Sequence, residues 1–516
     1  MSSITTQTNH EQSQNNDPPP PNTHFFTTKP KHNKTVILQT ITQPFQWLQN
    51  LSTQLNPTFI LGIFLIHGLQ QGFTGSFFRV AADYYWKDIQ KLQPSLVQIF
   101  AGIYFIPWVF KPLWGILTDA FPIRGYRRRP YFIGAGVIGT VSGMVLAAKG
   151  EMAAGAALAC FVGVSASMAI AEVTIDACIA RNSIEVRSLA PDLQSLCSFC
   201  SSFGALVGFV SSGFFVHHLG PQGSLGIVAV PPALTILLGF VIYERRTDAL
   251  HNEKKQTFLQ AVEGVGTKIR IMYKTMRHPQ VWKPSLYIFL SLALSVTTHE
   301  GHFYWYTDPK AGPAFSKEFV GEIYAVGAFA SILGVMIYHK ALKDYPFRTL
   351  IFYAQLLYTI SGVIDLFFIL RWNLKVGIPD YIFVIIEESC TRITGKIKWM
   401  PMLVLSTQLC PLGIEGTFFA LLMCIDSIGG LISKWGGGLL LHAVNVSRTD
   451  FTNLWFAVFI RDLLRFGTLA FVFLVPKKGQ SEGLLPSELS GENVSSDGNV
   501  DEETLELVPT NVKNEV

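Results

Sequence analysis

Twelve long apolar stretches, each bounded by polar or charged residues, limit what this chain can fold into. A hydrocarbon layer about 30 Å thick is crossed by roughly 20 residues of α-helix rising about 1.5 Å each. Stretches near 57–78, 95–118, 130–148, 152–180, 194–218 and 224–243 suit that length, and a basic polar stretch at 244–280 follows. Six more lie near 281–305, 318–339, 349–370, 380–406, 414–442 and 451–475. Composition agrees. Of 516 residues, 49% are hydrophobic and 15% charged, against about 25% charged in an average soluble domain. The expected fold class is an all-α membrane protein of twelve transmembrane helices in two six-helix halves.

The expected divisions are a tail at 1–56, a first half at 57–243, a basic cytoplasmic linker at 244–280, a second half at 281–476 and a tail at 477–516. The first tail is rich in Ser, Thr, Asn and Gln, and carries the run Pro18 to Pro21. Its low acidity suits an organellar transit segment, but it has no Arg, which favours a disordered cytoplasmic tail. Residues 479–516 hold nine acidic residues and one Lys, so the net charge of +4 hides a more basic remainder. With no aromatic-interleaved basic groove, that charge points to cytoplasmic loops and not to nucleic acid.

Lys and Arg in the loops orient the chain. With a cytoplasmic N-terminus, the inside loops carry four at 119–129, two at 181–193, eight at 244–280 and three at 340–348. The opposite loops carry three at 79–94, one at 149–151, none at 219–223, two at 306–317, two at 371–379 and one at 443–450. Both termini are therefore expected in the cytoplasm.

The halves match each other at an offset of 225 residues. Ser202-Phe-Gly204-Ala-Leu206-Val faces Ser427-Ile-Gly429-Gly-Leu431-Ile, Gly213 faces Gly438, and His217 faces His442. Chance agreement between two apolar helices is the plain alternative. The fourth and tenth segments align at the same offset, which favours a parallel repeat.

An ionisable residue in an apolar helix costs a few kcal/mol unless it finds a partner or water. Glu172 and Asp176 are four apart and share a helix face. At the 225 offset their level is matched by Lys396 and Lys398 in the second half. That suits charge pairing across a cavity, or an anion site beside a proton acceptor. Both pairs also lie where long side chains can snorkel to an interface, so an interfacial gate is the competing reading. Glu388 and Arg392 are spaced to neutralise each other, which leaves Glu387 as the freer carboxylate. Arg461, Asp462 and Arg465 form another candidate self-neutralising set. Asp365, Asp426 and Lys111 stand as single charges, Lys111 structural or gating.

His299-Glu300-Gly301-His302 lacks the HExxH spacing that aims two imidazoles from one helical face, so no metal is expected. The following Phe303, Tyr304, Trp305 and Tyr306 suit an aromatic belt at the membrane interface. Cys197 and Cys200 have CxxC spacing but lie on an apolar helix, which favours packing. No P-loop, GxSxG elbow or dinucleotide fingerprint appears, which argues against an ATP-driven pump, an enzyme and any cofactor. No filter motif suggests a channel.

The stretch KPLWGILTDAFPIRGYRRRPY at 111–131 ends an apolar helix on Gly115-x-x-x-Asp119 and follows it with Arg124, Arg127, Arg128 and Arg129. This resembles the signature loop of the major facilitator superfamily, with Arg124-Gly125 some three residues later than usual. The long form of the loop, with GIYFIPWVFKPLWG before it, RNSIEVRSLAPDLQSLC at 181–197 and CPLGIEGTFFALLMCIDSIGG at 410–430, is similar to the folate–biopterin transporter family of that superfamily. The resemblance covers roughly 55–476. It implies a major facilitator fold and a secondary transporter moving folates or pterins, coupled to protons or exchange, in plants, cyanobacteria and protozoa. It implies a cytoplasmic latch built on Gly115, Asp119, Arg124, Arg127 and Arg128. Lys396, Lys398 and Arg392 become candidate cations for an anionic substrate, and Glu172, Asp176 and Glu387 candidates for the pterin edge or a proton. A monomer in lipid is expected. Another small organic anion as substrate, or a scaffold that moves nothing, are the alternatives. Plasma membrane, vacuole and plastid envelope stay open.

Overall fold

The computed structural model describes residues 49, 51–53, 55–149, 152–185, 190–244, 270, 272–410 and 415–479. Side chains at 119–120, 180–185, 190–192, 194 and 415–417 lie outside that description. The chain divides into two units, Met1–Leu55 and Asn56–Val516. In the first, residues 49 and 51–53 are helical. The second holds the helical bundle.

Among the described residues of this unit the longer helices group into twelve segments, with short helical stretches at 272–276 and Trp372–Lys375 outside them. The first, α1, runs without a break over 57–89, from an Asn56 cap through π-helical stretches at Phe64–Thr74 and Tyr85–Ile89. Next come α2 (94–120), α3 (Arg129–Ala148) and α4 (Ala154–Glu185). The segment α2 is broken near Tyr104 and Phe110, since Pro107 and Pro112 remove helical N–H donors. Then α5 (190–219) ends at Gly220, whose φ of 72° stops the helix, and Pro221 starts α6 (221–241).

The second series is α7 (Pro279–Ala293 and His299–Tyr306), α8 (317–342), α9 (Phe347–Ile369), α10 (Asp380–Gln408), α11 (Glu415–Ala443) and α12 (454–474). In α7 the backbone leaves the helix at 294–298, and α11 supplies the missing partners. Thr297 N donates to Ser433 O at 3.2 Å, and Ser433 Oγ donates to Ser295 O at 2.6 Å. An opened backbone inside a membrane is tolerated only where protein or water satisfies it.

Among the described residues, seven helical runs are long and apolar enough to cross a membrane by length and composition. Large apolar side chains such as Phe203, Phe214, Phe240, Leu439 and Phe473 are exposed. So much exposed apolar surface needs lipid around it.

The repeat can be read in the packing. Gly204 of α5 lies against the Gly68 carbonyl of α1, and Gly429 of α11 against Phe289 and Ala293 of α7. Residues 204 and 429, like 68 and 293, stand 225 apart, so equivalent glycines admit equivalent helices. The mates Gly213 and Gly438 face α8 and α2 respectively. A Cβ on Gly213 would sit 2.6 Å from Lys317 O, and one on Gly438 2.8 Å from Ser95 O.

Two expectations are corrected here. The stretch 79–94 is not a loop from its start, because α1 runs to Ile89 and keeps Arg79, Asp83 and Lys87 on helix. A row of charges every fourth residue on one face ends the apolar pattern without ending the helix. The aromatic run at 303–306 is not an interfacial belt. Phe303 and Tyr304 are 0% exposed and belong to the largest core cluster. In that cluster Tyr84 and Phe303 meet edge to face at 4.8 Å, and Trp86 packs on Phe161 at 4.8 Å.

Candidate functional site

The loop after α2 is held by a partner that the sequence did not suggest. The Glu244 carboxylate, at the end of α6, accepts from the backbone N–H of Arg127 (2.6 Å), Arg128 (3.0 Å) and Arg129 (2.9 Å). These donors open α3, where a helix favours an anion. Arg124 and Gly125 have φ of 55° and 83°, and Ile123 and Tyr126 pair across them. Two consecutive positive φ values at the centre of a tight turn define a type I′ turn, which favours glycine. That accounts for Gly125 within the cluster. Arg128 Nη1 donates to Thr118 Oγ1 at 2.7 Å, and Arg129 Nε to Ile242 O at 2.9 Å. Gly115 packs on Val173 of α4. The Asp119 side chain, to which the latch is assigned, lies outside the described residues.

Glu172 and Asp176 sit on one face of α4, as their spacing requires, and each meets a first-half neighbour. Lys111 Nζ lies 2.5 Å from Glu172 Oε2, and His67 Nε2 of α1 lies 3.3 Å from Asp176 Oδ1. Lys111 also lies 4.7 Å from the Trp108 ring centroid. Lys111 thus meets α4, set at the start of its helical stretch by the break at Phe110 and by Pro112. No bond links Glu172 or Asp176 to Lys396 or Lys398 among the described contacts.

In α10, Glu388 and Arg392 pair at 2.6 Å, as four-residue spacing predicts. Glu387 is buried and accepts from Thr391 Oγ1 at 3.1 Å. Lys398 is buried, donates to Ser291 O (3.3 Å) and Ser295 Oγ (3.2 Å) of α7, and lies 4.7 Å from the Tyr358 centroid. Lys396 is half-buried beside Gly334 of α8.

The densest buried charge lies elsewhere. Arg461 of α12 reaches Asp365 of α9 (2.8 Å), its neighbour Asp462 (3.0 Å) and Thr298 Oγ1 of α7 (3.3 Å). His302 also contacts Asp365 at 2.8 Å, and Arg465 reaches Asp462 at 3.4 Å. The set does neutralise itself, but across three helices and not along one. A second set joins α1 to α7, with Arg79 and Asp83 on either side of His299. A helical reading carried past residue 78 would have found both.

The ends of the bundle differ. At one end, the loops near 90, 310 and 448 tie the two series together. Arg448 donates to Lys87 O and Lys91 O, both at 3.0 Å, and its backbone N–H to Gln93 Oε1 at 3.0 Å. Tyr304 Oη donates to Leu92 O at 3.0 Å, Lys87 contacts Thr307, and Lys317 lies 3.8 Å from Asp88. Away from that end, Lys111 and Asp176 keep side chains 31% and 50% exposed, and Arg392, near the middle of α10, keeps 34%.

A bundle of this topology, tied together at one end by polar contacts between its two series, has the major facilitator fold. The nucleoside transporter NupG shares the fold with a TM-score of 0.61 at 14% identity, covering 81% of this chain and 99% of that one. The chain belongs to the BT1 family, whose model matches residues 71–487. It is 59% identical over 461 residues to the probable folate-biopterin transporter 6 of Arabidopsis thaliana, covering 89% of this chain and 91% of that protein. The folate-biopterin transporter of Synechocystis sp. (strain ATCC 27184 / PCC 6803 / Kazusa) is 31% identical over 419 residues, 81% of either chain.

Proposed function

We propose that this protein is a secondary transporter that carries folates or pterins across a membrane by alternating access, driven by a proton gradient. The observation that carries the reading is the closure of one end by polar contacts across the two series, those of Arg448, Tyr304 and Lys317 among them. Relatives named for folate and biopterin support the substrate class. Chemistry supports it as well. A folate offers carboxylates and a flat ring; Arg392, Lys396 and Lys398 offer cations, and Tyr358, 4.7 Å from Lys398, an aromatic face. Glu172, Asp176 and Glu387 are carboxylates for the pterin edge or a proton.

In this reading the rigid halves are 57–243 and 281–476, joined by 244–280, and the chain works as a monomer in lipid. The excess of Lys and Arg around 119–129 and 244–280 supports a cytoplasmic position for both termini. With Arg79 and Lys87 now on helix, the opposite loops are poorer in fixed charge than a count that takes 79–94 as loop.

The test is uptake of labelled folate and labelled pterin into proteoliposomes, with and without an inward proton gradient. Accumulation above equilibrium under the gradient supports the reading, and folded protein that moves neither compound refutes the substrate class. Asp119→Asn probes the latch assigned to Gly115, Asp119, Arg124, Arg127 and Arg128. An exposed charge pair contributes about 0.2–1 kcal/mol, so turnover should fall by a factor of about 1.4 to 5 with membrane level unchanged. Wild-type turnover in Asp119→Asn removes the latch.

A further inference from the structure

Asp83, His299 and Glu300 form a buried cluster outside the charges assigned above. One carboxylate oxygen from Asp83, one from Glu300 and one ring nitrogen from His299 lie within 4.8 Å of one another. The set joins α1 to the second helical part of α7, within two turns of the Lys87–Thr307 contact in the seal.

The hydrogen bonds decide what such a cluster can hold. Arg79 Nη2 lies 3.4 Å from His299 Nδ1, and a guanidinium has no acceptor. Nδ1 therefore carries the lone pair, and Nε2–H donates to Asp83 Oδ2 at 2.9 Å. Both ring nitrogens are committed, so His299 has no lone pair left for a metal. The Arg79 guanidinium and the Lys434 ammonium of α11 also face the cluster and would repel a metal cation.

Glu300 is different. It is 1% exposed, its backbone N–H donates to Gln98 Oε1 of α2 at 3.1 Å, and its Oε2 has no partner. Tyr104 of α2 and Tyr304 of α7 complete the polar groups around it. Neither Arg79 nor Lys434 forms an ion pair with either carboxylate among the described contacts, so a bare oxygen buried beside a second carboxylate is costly, and the two groups hold one proton between them.

We infer that the Asp83–Glu300 pair, oriented by His299, is the site that binds the coupling proton. This deepens the transporter reading and rests on it. With the proton in place, the two carboxylates tolerate each other and α1 stays against α7. With the proton gone, their repulsion acts on the joint beneath the seal and favours the state open at that end. Proton release is thereby tied to opening, as coupling requires.

The test uses the full chain in proteoliposomes with labelled folate. Glu300→Gln should keep equilibrium exchange of folate, lose accumulation driven by a proton gradient, and lose the pH dependence of exchange. Infrared difference spectra between high and low pH supply a readout that needs no substrate. A carboxyl C=O band should titrate in the wild type and vanish in Glu300→Gln, with Asp83→Asn shifting it. Gradient-driven accumulation retained in Glu300→Gln overturns the proposal. So does a titrating band that Glu300→Gln leaves unchanged, or a wild type with no titrating band. A wild type that moves no folate but shows the band, lost in Glu300→Gln, refutes the substrate and supports the proton site.

Discussion

Arg461→Ala should destabilise the folded protein by about 3–5 kcal/mol. Arg461 is 5% exposed and its guanidinium serves Asp365, Asp462 and Thr298 at once. Truncation leaves Asp365 with His302 alone and Asp462 with Arg465 alone, both carboxylates still buried. The loss counts for more than a surface pair because it leaves two buried carboxylates short of donors. Arg461→Lys should recover less than half of it, since one ammonium cannot point at groups on α7, α9 and α12 together. The double variant Arg461→Met with Asp365→Leu should lose less than the sum of its parts, because it buries no orphan charge. Melting temperature in detergent is the readout. An Arg461→Ala protein that melts with the wild type would show the network to be idle.

The second large effect belongs to Gly213→Leu. A Cβ there meets Lys317 O at 2.6 Å and Glu318 Cα at 2.8 Å, both backbone, so no rotamer change relieves it. Overpacking of this kind costs about 1–3 kcal/mol. Charged only to the state in which that end is sealed, it shifts the balance between states by about 5–150-fold. Uptake should collapse while the protein stays folded and in the membrane. Spin labels at Lys149→Cys and Lys375→Cys, on the connections α3–α4 and α9–α10 at the sealed end, should report a longer distance. Gly438→Leu should act in the same way against Ser95 and Ile99. Gly134→Leu is the control, since a Cβ there meets nothing within 4 Å. Normal uptake and an unchanged label distance in Gly213→Leu would remove the contact from the transport cycle.

Where the chain forms helix is largely legible in the order of its residues. The α5–α6 turn is expected near 219–223 and falls at Gly220-Pro221, because those residues set their own backbone. The Glu388–Arg392 pair is legible because its partners share one helix. The errors share one cause. Ending α1 at 78 mistakes charge for loop, although buried Asp83 finds its partner at residue 299. Assigning Phe303 to Tyr306 to an interface mistakes aromatic content for position. Nothing local distinguishes a belt from a core when the covering helix, here the 84–86 stretch of α1, is over 200 residues away. Glu244 escapes notice because its acceptor role depends on α6 ending beside the start of α3.

By itself, the sequence determined that this is a helical membrane protein, where most of its helices run, and which family it resembles. Those properties follow from hydrophobic length, turn chemistry and short motifs, all local along the chain. Tertiary structure alone decided which charges meet. Lys111 turns to Glu172, Arg461 spans α7, α9 and α12, and Glu300 is left beside Asp83 with an oxygen unpartnered. Pairing across helices depends on how each helix is rotated and how deep it sits. A rotation of one residue, about 100° around an α-helix, would hand every one of these side chains a different neighbour.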